Sequence, residues 1–244
     1  MINFVPKYDQ IKFMKKILFI YSVLLMGVAS AQSIKYGVTA NFHKGSTVNI
    51  HDRSKGNFGA GVGLFADFSL VNNDIYDSAW LYFTPQLEFS MEGERGQAWN
   101  DKVAAQQKYD NYYVALPLYI KYFLRNHGYK SDIYFMFGPK FEFLVSNKVD
   151  EAQAISYANS IGYSNSPDDI ALGAKSLSSV GLNNKIAKFG YGLSLVAGVR
   201  VDEKWNVFLR FDRGLSKVYP DYTKYSTYNR LLAIGINYYI GETN

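Results

Sequence analysis

Three residue types that could together carry out acyl chemistry fall near one predicted strand end: a histidine, a serine and a carboxylate. The chain has only three histidines, and His43 is the one near the end of a predicted strand. Ser90 and Glu88, in another predicted strand, could lie across from it and complete a Ser-His-acid group. Their spacing does not fix that geometry, and we predict that His43 is a solvated loop residue. The sequence therefore predicts no catalytic residue, although an enzyme acting through His43 stays an alternative.

Charged residues of both signs recur on the polar face of the predicted strands. They are Lys35, Asp67, Glu88, Lys121, Lys140, Glu142, Arg200, Arg210 and Asp212. If the strands close around a narrow interior, these groups would pair with one another and with trapped water, which offsets the cost of burying them. We expect a structural charge network from them and no proton or ion path.

The composition argues against several other kinds of site. The chain has no cysteine, which excludes disulfides and cysteine-ligated metals, and we expect neither a metal nor a cofactor. The glycines at 59, 61 and 63 precede no helix, so they do not form a phosphate-binding loop. We predict that they make room for interior side chains such as Phe65 or Tyr82. Without residues 1–31 the formal charge falls to +2, which gives no indication of a nucleic-acid partner.

The elements that must position these residues are strands with two different faces. Large apolar side chains alternate with small, polar or charged ones, and a period of two places the two sets on opposite sides of a strand. The pattern predicts strands at 34–42, 57–70, 79–92, 109–124, 132–146, 187–202, 204–214 and 227–240. Most of these runs exceed the length that a tilted strand needs to cross a membrane.

The predicted connections alternate in length. Those at 43–56, 93–108, 147–186 and 215–226 are long, whereas those at 71–78, 125–131 and residue 203 are short. In an up-and-down barrel with an even number of strands, odd and even connections lie at opposite ends, and membrane barrels have short turns at one end and long loops at the other. The sequence therefore predicts an all-β fold, an eight-stranded antiparallel up-and-down transmembrane β-barrel.

The N-terminal segment predicts export. Lys15 and Lys16 precede an apolar run, and the run ends in a small-residue cleavage motif before Gln32. We expect residues 14–31 to be the core of a signal peptide within an N-terminal extension of residues 1–31, with cleavage between Ala31 and Gln32. Residues 32–244 would then form one barrel domain.

Two departures from the pattern stand out. Pro85, Pro117 and Pro139 lie inside three successive predicted strands, where they suggest bulges or bends at related heights. Arg230 lies on the apolar face of the last strand, near its upper end, where a long side chain can reach the interface between lipid and water.

The segments NYYVALPLYIKYFL (111–124) and YFMFGPKFEF (134–143) resemble strands of the PorT-type outer-membrane β-barrel family. The segments YGLSLVAGV (191–199) and RFDRGL (210–215) look like later strands of the same family. The resemblance covers essentially all of the mature chain. It implies a barrel in the outer membrane of a Gram-negative bacterium, and it implies no catalytic motif.

The sequence thus predicts a non-enzymatic outer-membrane barrel with a structural or interaction role and a lumen filled by side chains. We expect a monomer in contact with outer-membrane lipid, with both mature termini in the periplasm. The long segment 147–186 mixes polar and apolar residues, and we expect it to contact other envelope proteins. Two alternatives stay open: a porin-like pore for small solutes, and a lipid-modifying enzyme.

Overall fold

The computed structural model describes residues 33–48, 53–73, 78–97, 106–125, 130–150, 186–220 and 226–243. The strands are β1 (Ile34–Val48), β2 (Arg53–Asn73), β3 (Ser78–Gln97), β4 (Gln106–Phe123), β5 (Ile133–Asp150), β6 (Phe189–Arg200), β7 (Trp205–Gly214) and β8 (Tyr228–Thr243). Each strand pairs antiparallel with its sequence neighbour, and β8 pairs with β1. The predicted eight-stranded up-and-down barrel is confirmed. In the described part of the chain, no helix has the length and apolar character to span a membrane.

The register sets the stagger of the barrel. Partners can be followed from Ile34 through Phe68, Phe83, Ile120, Phe137, Leu195, Phe211 and Leu232. Leu232 pairs with Lys44, so the path returns to β1 ten residues beyond its start. Strands that close with such a stagger are tilted from the barrel axis by roughly 40°, and eight of them leave an interior only wide enough for side chains.

The two faces of each strand have opposite environments. Side chains that point inward are buried, and many of them are polar or charged. Outward side chains are large and apolar and remain exposed, such as Val62 and Leu64 on β2 and Leu209 on β7. An exterior of this kind is far larger than the apolar patches of soluble monomers.

Aromatic rings form two belts around the exterior. Ile34 pairs with Thr243, so the outer ends of β1 and β8 lie at the same end of the barrel, which we call the near end. The near belt contains Tyr36, Trp80, Tyr122, Trp205 and Tyr238. Toward the opposite, far end, the far belt contains Phe42, Phe58, Phe89, Tyr112, Phe141, Phe143, Phe189 and Tyr191.

The spacing of the two belts matches an apolar membrane layer. On β4, Tyr112 belongs to the far belt and Tyr122 to the near belt. The ten residues between them span about 33 Å of strand, which a tilt of about 40° reduces to about 25 Å along the barrel axis. Membrane barrels have an apolar band of about that height between two aromatic belts.

Several strands are longer than the sequence predicts. β1 continues to Val48 and β2 begins at Arg53, so most of the predicted connection 43–56 is strand. β3 and β4 likewise occupy much of 93–108, and β5 continues to Asp150. Beyond the far belt the apolar alternation of the sequence ends while backbone pairing continues. The alternation of connection lengths is therefore weaker than the sequence suggests.

The prolines produce no bulges. The register is continuous past Pro85, Pro117 and Pro139, and the irregularities lie elsewhere, for example at Tyr36/Gly37 and Tyr112/Tyr113. Pro85 pairs with Leu118, and Pro117 pairs with Lys140. The three prolines thus form a stepped row across β3, β4 and β5, at nearly the same ladder level.

Candidate functional site

The near half of the lumen is crossed by a buried group centred on Lys121, which we call the near cluster. The Lys121 ammonium donates to Asp67 Oδ2 and to the Tyr239 hydroxyl oxygen, each at 2.7 Å. Tyr239 in turn donates to Asp67 Oδ2 at 2.6 Å, and Thr84 donates to Asp67 Oδ1 at 2.6 Å. The carboxylate therefore accepts three side-chain hydrogen bonds, one of them from the Lys121 cation, which stabilises its charge away from water.

Aromatic rings surround the cation of the near cluster. The ring centroids of Phe123, Tyr134 and Tyr239 lie 5.2, 4.7 and 5.4 Å from Lys121 Nζ. Arg200 joins the same group, with Cζ 4.9 Å from the Phe123 ring and 5.3 Å from the Tyr239 ring. Cations are attracted to aromatic faces, most strongly where water is excluded. The near cluster is thus a packed layer of rings around two charged side chains.

A second group, the far cluster, lies nearer the other end of the lumen. Arg210 Nη1 and Nη2 donate to the two carboxylate oxygens of Glu88 at 2.6 and 2.9 Å. Asn41 donates a further hydrogen bond to Glu88 Oε1 at 3.0 Å. Arg210 Nε also lies 3.3 Å from Asp212 Oδ2. A bidentate arginine–carboxylate pair of this kind is both strong and geometrically specific.

Lys140 completes the far cluster. Its ammonium lies 2.6 Å from Glu142 Oε1 and 2.9 Å from both Glu92 Oε1 and Asp212 Oδ2. Ser194 donates to Asp212 Oδ1 at 2.5 Å, and its hydroxyl is 2.7 Å from the Tyr119 hydroxyl. Three carboxylates therefore share a single ammonium. All three ammonium protons have acceptors, so this buried charge is fully paired.

Both clusters join strands from opposite sides of the barrel. Arg210 on β7 reaches Glu88 on β3, and these strands stand four apart in a ring of eight. Lys121 on β4 reaches Tyr239 on β8, which are also four apart. A side-chain pair between opposite strands crosses the full width of the lumen. Side chains therefore cross the lumen at two levels.

The charged residues that the sequence singles out fall into three places. Asp67, Lys121 and Arg200 lie in the near cluster. Glu88, Lys140, Glu142, Arg210 and Asp212 lie in the far cluster. Lys35 is in neither cluster, because its ammonium pairs with Glu242 Oε1 at 3.4 Å at the near end, where both side chains are partly exposed.

Some members of the clusters were not predicted. Glu92 carries one of the three carboxylates around Lys140, and Tyr119 and Tyr239 supply hydroxyl groups. The signal for Glu92 is present in the sequence, because it follows Glu88 and Ser90 on the same face of one strand. The tyrosines are not distinguishable by type from those of the aromatic belts, and only their face of the strand marks them.

The prediction that His43 is a solvated loop residue is wrong. It lies on β1 and is only 1% exposed. Its Nδ1 is 2.7 Å from Asn41 Oδ1 and its Nε2 is 2.8 Å from the Met91 carbonyl oxygen. Ser90 donates to Glu92 Oε1 at 3.4 Å, so histidine and serine bond to other groups. The structure does not form the Ser-His pair on which the enzyme alternative depends.

The glycines of β2 make room for residues other than those predicted. A β-carbon at position 59 would meet the Met91 carbonyl oxygen and His43 Nε2, and one at position 61 would meet the Glu88 carboxylate and Asn41. Phe65 and Tyr82 are not the nearest neighbours of either glycine. The absent side chains at Gly59 and Gly61 therefore allow His43, Asn41 and Glu88 to approach the barrel wall.

Two further sequence predictions concern a metal site and the export signal. Within the described ranges, no three His, Cys, Asp or Glu side chains are grouped so that they could hold a metal ion. The predicted signal at 14–31, with cleavage at Ala31 and Gln32, lies outside the described residues. The same is true of 151–185, which is most of the predicted interaction segment.

A closed antiparallel barrel with an apolar exterior, two aromatic belts and a polar, side-chain-filled interior defines the class of transmembrane β-barrels. The comparison with protein families gives the narrower assignment. Residues 30–219 match the outer membrane protein beta-barrel domain, and the chain belongs to that family. It is therefore an integral outer-membrane barrel.

Solved structures that are similar to the chain are also outer-surface barrels. Ail, the attachment invasion locus protein of Yersinia pestis, is 9% identical, with 85% of this chain and 99% of that one covered and a TM-score of 0.39. OprG of Pseudomonas aeruginosa is 8% identical, with 87% and 95% covered and a TM-score of 0.41. Neisserial surface protein A is 13% identical, with 83% and 96% covered and a TM-score of 0.40. Likenesses this distant carry no information about function. No curated protein matches the chain significantly.

Proposed function

We propose that this chain is a closed outer-membrane barrel that acts through its far-end surface and does not conduct solutes. The observation that carries the proposal is the double crossing of the lumen, by Glu88–Arg210 in the far cluster and by Lys121–Tyr239 in the near cluster. Each crossing is a buried, hydrogen-bonded contact between opposite strands, so paired side chains occupy the lumen at those points. The pore alternative would need both crossings to open.

The far end carries a raised wall of four strands. β2, β3, β4 and β5 stay paired beyond the far belt, up to the pairs Arg53–Gln97, Gln97–Gln106 and Lys108–Asp150. By contrast, β6 begins and β7 ends at about the level of the far belt. The backbone at this height lies outside the apolar layer. Water can form hydrogen bonds with it there, so strand pairing is not required. We infer that the raised wall is the surface that meets other molecules.

The orientation follows from the usual asymmetry of such barrels. Outer-membrane barrels have short turns toward the periplasm and longer loops outside. Here β6 and β7 are joined at the near end through 201–204 only, whereas β5 and β6 are separated by 151–188 at the far end. We therefore assign the near end, with both termini of the mature chain, to the periplasm and the far end to the cell exterior.

The finer identity belongs to the same proposal. The strand motifs at 111–124 and 134–143 support membership of the PorT-type branch of the family. The filled interior and the complete apolar exterior support a monomer, because no strand edge within the lipid layer is unpaired. The segment 147–186, of which 147–150 extends β5, is the part of the chain that we expect to contact another envelope protein together with the raised wall.

Planar-bilayer conductance tests the closed lumen. The refolded full chain, inserted in a planar bilayer, should show no stepwise conductance in potassium chloride at any voltage that the bilayer tolerates. A general porin inserted under the same conditions is the positive control. Stable single-channel steps from the wild-type chain would contradict the proposal and favour the pore alternative.

A shortened wall tests the interaction role. Gly93 and Asp110 are direct partners, so residues 94–109 can be replaced by an Asn-Gly turn without changing the barrel below them. We expect this variant to fold and insert normally but to lose proteins that are cross-linked to the wild type in intact cells. Asn73 and Ser78 are direct partners at the near end. The matched control replaces the residues between them, 74–77, with the same turn. If both variants keep the same cross-linked proteins, the wall is not the interaction surface.

A further inference from the structure

The far belt is aromatic on one part of the barrel and basic on the other. Its rings come from β1 to β6, but on β7 and β8 the outward residues at this level are Arg213 and Arg230, and Lys44 of β1 lies beside them. Arg213 and Arg230 are direct cross-strand partners, and Arg230 is also paired with Ser46, two residues from Lys44. We call these three residues the basic sector.

The two arginines are placed unfavourably unless an anion joins them. Like charges directly opposite on neighbouring strands repel, because their β-carbons are only about 5 Å apart. Apart from backbone pairing, neither guanidinium group makes an ion pair or a hydrogen bond with a residue that the structure describes. Lys44 Nζ lies 5.8 Å from the Phe58 ring centroid, on the side away from Arg230. Guanidinium groups bind phosphate in a bidentate manner, and a phosphate between the arginines would turn repulsion into attraction.

The surroundings of the basic sector indicate where that phosphate comes from. Directly toward the near end on the same outward faces lie Phe211 below Arg213, Leu232 below Arg230 and Phe42 below Lys44. All three are at least 41% exposed. The sector therefore has charge at the edge of the apolar band and apolar surface immediately beneath it. That order is the order of a membrane lipid, with an anionic head above its acyl chains.

We propose that the basic sector is a binding site for a phosphorylated lipid of the outer leaflet, with Arg213 and Arg230 holding the phosphate and the exposed side chains below them contacting an acyl chain. The site is on the outside of the barrel, so it is independent of whether the lumen conducts. The phosphorylated lipid would therefore bind on one side of the barrel, at β7, β8 and β1, because the rest of the far belt is aromatic.

Lipid binding by the refolded full chain tests the site. The probes are bisphosphorylated lipid A and its enzymatically dephosphorylated form, titrated into the protein in zwitterionic detergent and counted by native mass spectrometry. The wild type should bind the phosphorylated lipid more tightly than the dephosphorylated one. The double variant R213Q/R230Q should lose about fivefold in affinity for each arginine, while its binding of the dephosphorylated lipid stays unchanged.

A charge-matched control separates the site from general attraction. K148Q/K188Q removes two positive charges at the far end on β5 and just before β6, and it should leave the affinity for phosphorylated lipid within about twofold of the wild type. Equal losses in the two double variants, or equal affinity of the wild type for the two lipids, would overturn the proposal. Binding of inorganic phosphate as tight as that of the lipid would likewise refute a lipid site.

Folding is checked on the same variants. Without phosphorylated lipid, R213Q/R230Q should be at least as resistant to denaturant as the wild type, because it removes a like-charge pair. With phosphorylated lipid present, the wild type should become the more resistant of the two. A double variant that is less stable under both conditions would show that the arginines are structural, and the site would be rejected.

Discussion

Within the near cluster, the charge of Lys121 depends on a single carboxylate. Asp67 and Lys121 are both almost fully buried, and their atoms are 2.7 Å apart. Taking two such charges out of water is costly, and their attraction compensates only while both are present. The aromatic rings around Lys121 stabilise the cation, but they cannot replace a carboxylate that accepts a hydrogen bond from it.

Removing only the carboxylate should therefore be more harmful than removing the pair. We expect Asp67→Asn to lower the free energy of unfolding by about 3 kcal/mol or more, because Lys121 stays buried and charged. The double variant D67N/K121M should recover much of that loss, since methionine fits an aromatic surrounding. Urea titration in lipid vesicles compares the wild type, D67N, K121M and the double variant. If the losses in the free energy of unfolding of D67N and K121M simply add in the double variant, the two residues are not energetically coupled.

The partly exposed pair at the near end provides the control. Lys35 and Glu242 are 3.4 Å apart, with side chains 28% and 45% exposed. Pairs in contact with solvent contribute about 0–1 kcal/mol. Lys35→Met should therefore change the free energy of unfolding by less than about 1 kcal/mol. A loss as large as that of Asp67→Asn would contradict the distinction between rim and cluster.

The alternation of the sequence predicts which charged residues share the interior, but not which of them pair. Asp67 and Lys121 are on strands that are not neighbours, so their contact depends on the stagger of the whole barrel. His43 shows the opposite case, because its face was readable from Thr39 and Asn41 on the same strand. It was assigned to a loop only because the apolar alternation on the other face ends near it.

At the scale of a strand, the outward face is set by depth in the membrane. Leu209 lies on β7 between the two belts and is 57% exposed. Leu215 lies just past the end of β7, two residues beyond Arg213 toward the far end, and is 47% exposed. The two positions have the same residue type and similar exposure, and they differ mainly in depth.

Arginine at these two positions should have different costs. Leu209→Arg should lower the free energy of unfolding in lipid vesicles by about 2–4 kcal/mol, whereas Leu215→Arg should lower it by about 0–1 kcal/mol. The reason is that an arginine near the midplane of the bilayer must be desolvated, while one at the interface reaches water. Denaturant titration of vesicle-inserted protein gives both values. Equal costs would mean that Leu209 does not face the apolar layer.

The same dependence on depth explains why strand existence was predictable and strand ends were not. Between the belts, lipid on one side and the filled lumen on the other enforce a strict alternation. Above the far belt, β3 continues through Gly93 to Gln97 and β4 starts at Gln106, although neither stretch alternates. There, only backbone pairing holds the strands together, and pairing leaves no pattern in the side chains.

For the molecule as a whole, the closed-barrel proposal makes the two clusters barriers in series. Ser194 and Tyr119 belong to the buried part of the far cluster, where Ser194 donates to Asp212 and its hydroxyl lies 2.7 Å from the Tyr119 hydroxyl. A solute entering from the far end meets Lys140 and its carboxylates before Glu88 and Arg210, and one from the near end meets Lys121 and its rings. A side chain buried within the far cluster should therefore be closed to water-soluble reagents from both sides.

The absence of cysteine in the chain makes that closure measurable. Ser194→Cys is a nearly isosteric change at a side chain that is only 1% exposed. In vesicles, with a charged thiol reagent on both sides of the membrane, this cysteine should react far more slowly than Lys217→Cys near the far end or Lys204→Cys at the near end, both of which are exposed. Denaturation should then restore full reactivity at position 194. If Ser194→Cys is modified as fast as the two exposed cysteines while the barrel stays folded, water and small solutes reach the interior of the lumen. That result would contradict the closed-barrel proposal, as stable single-channel conductance would.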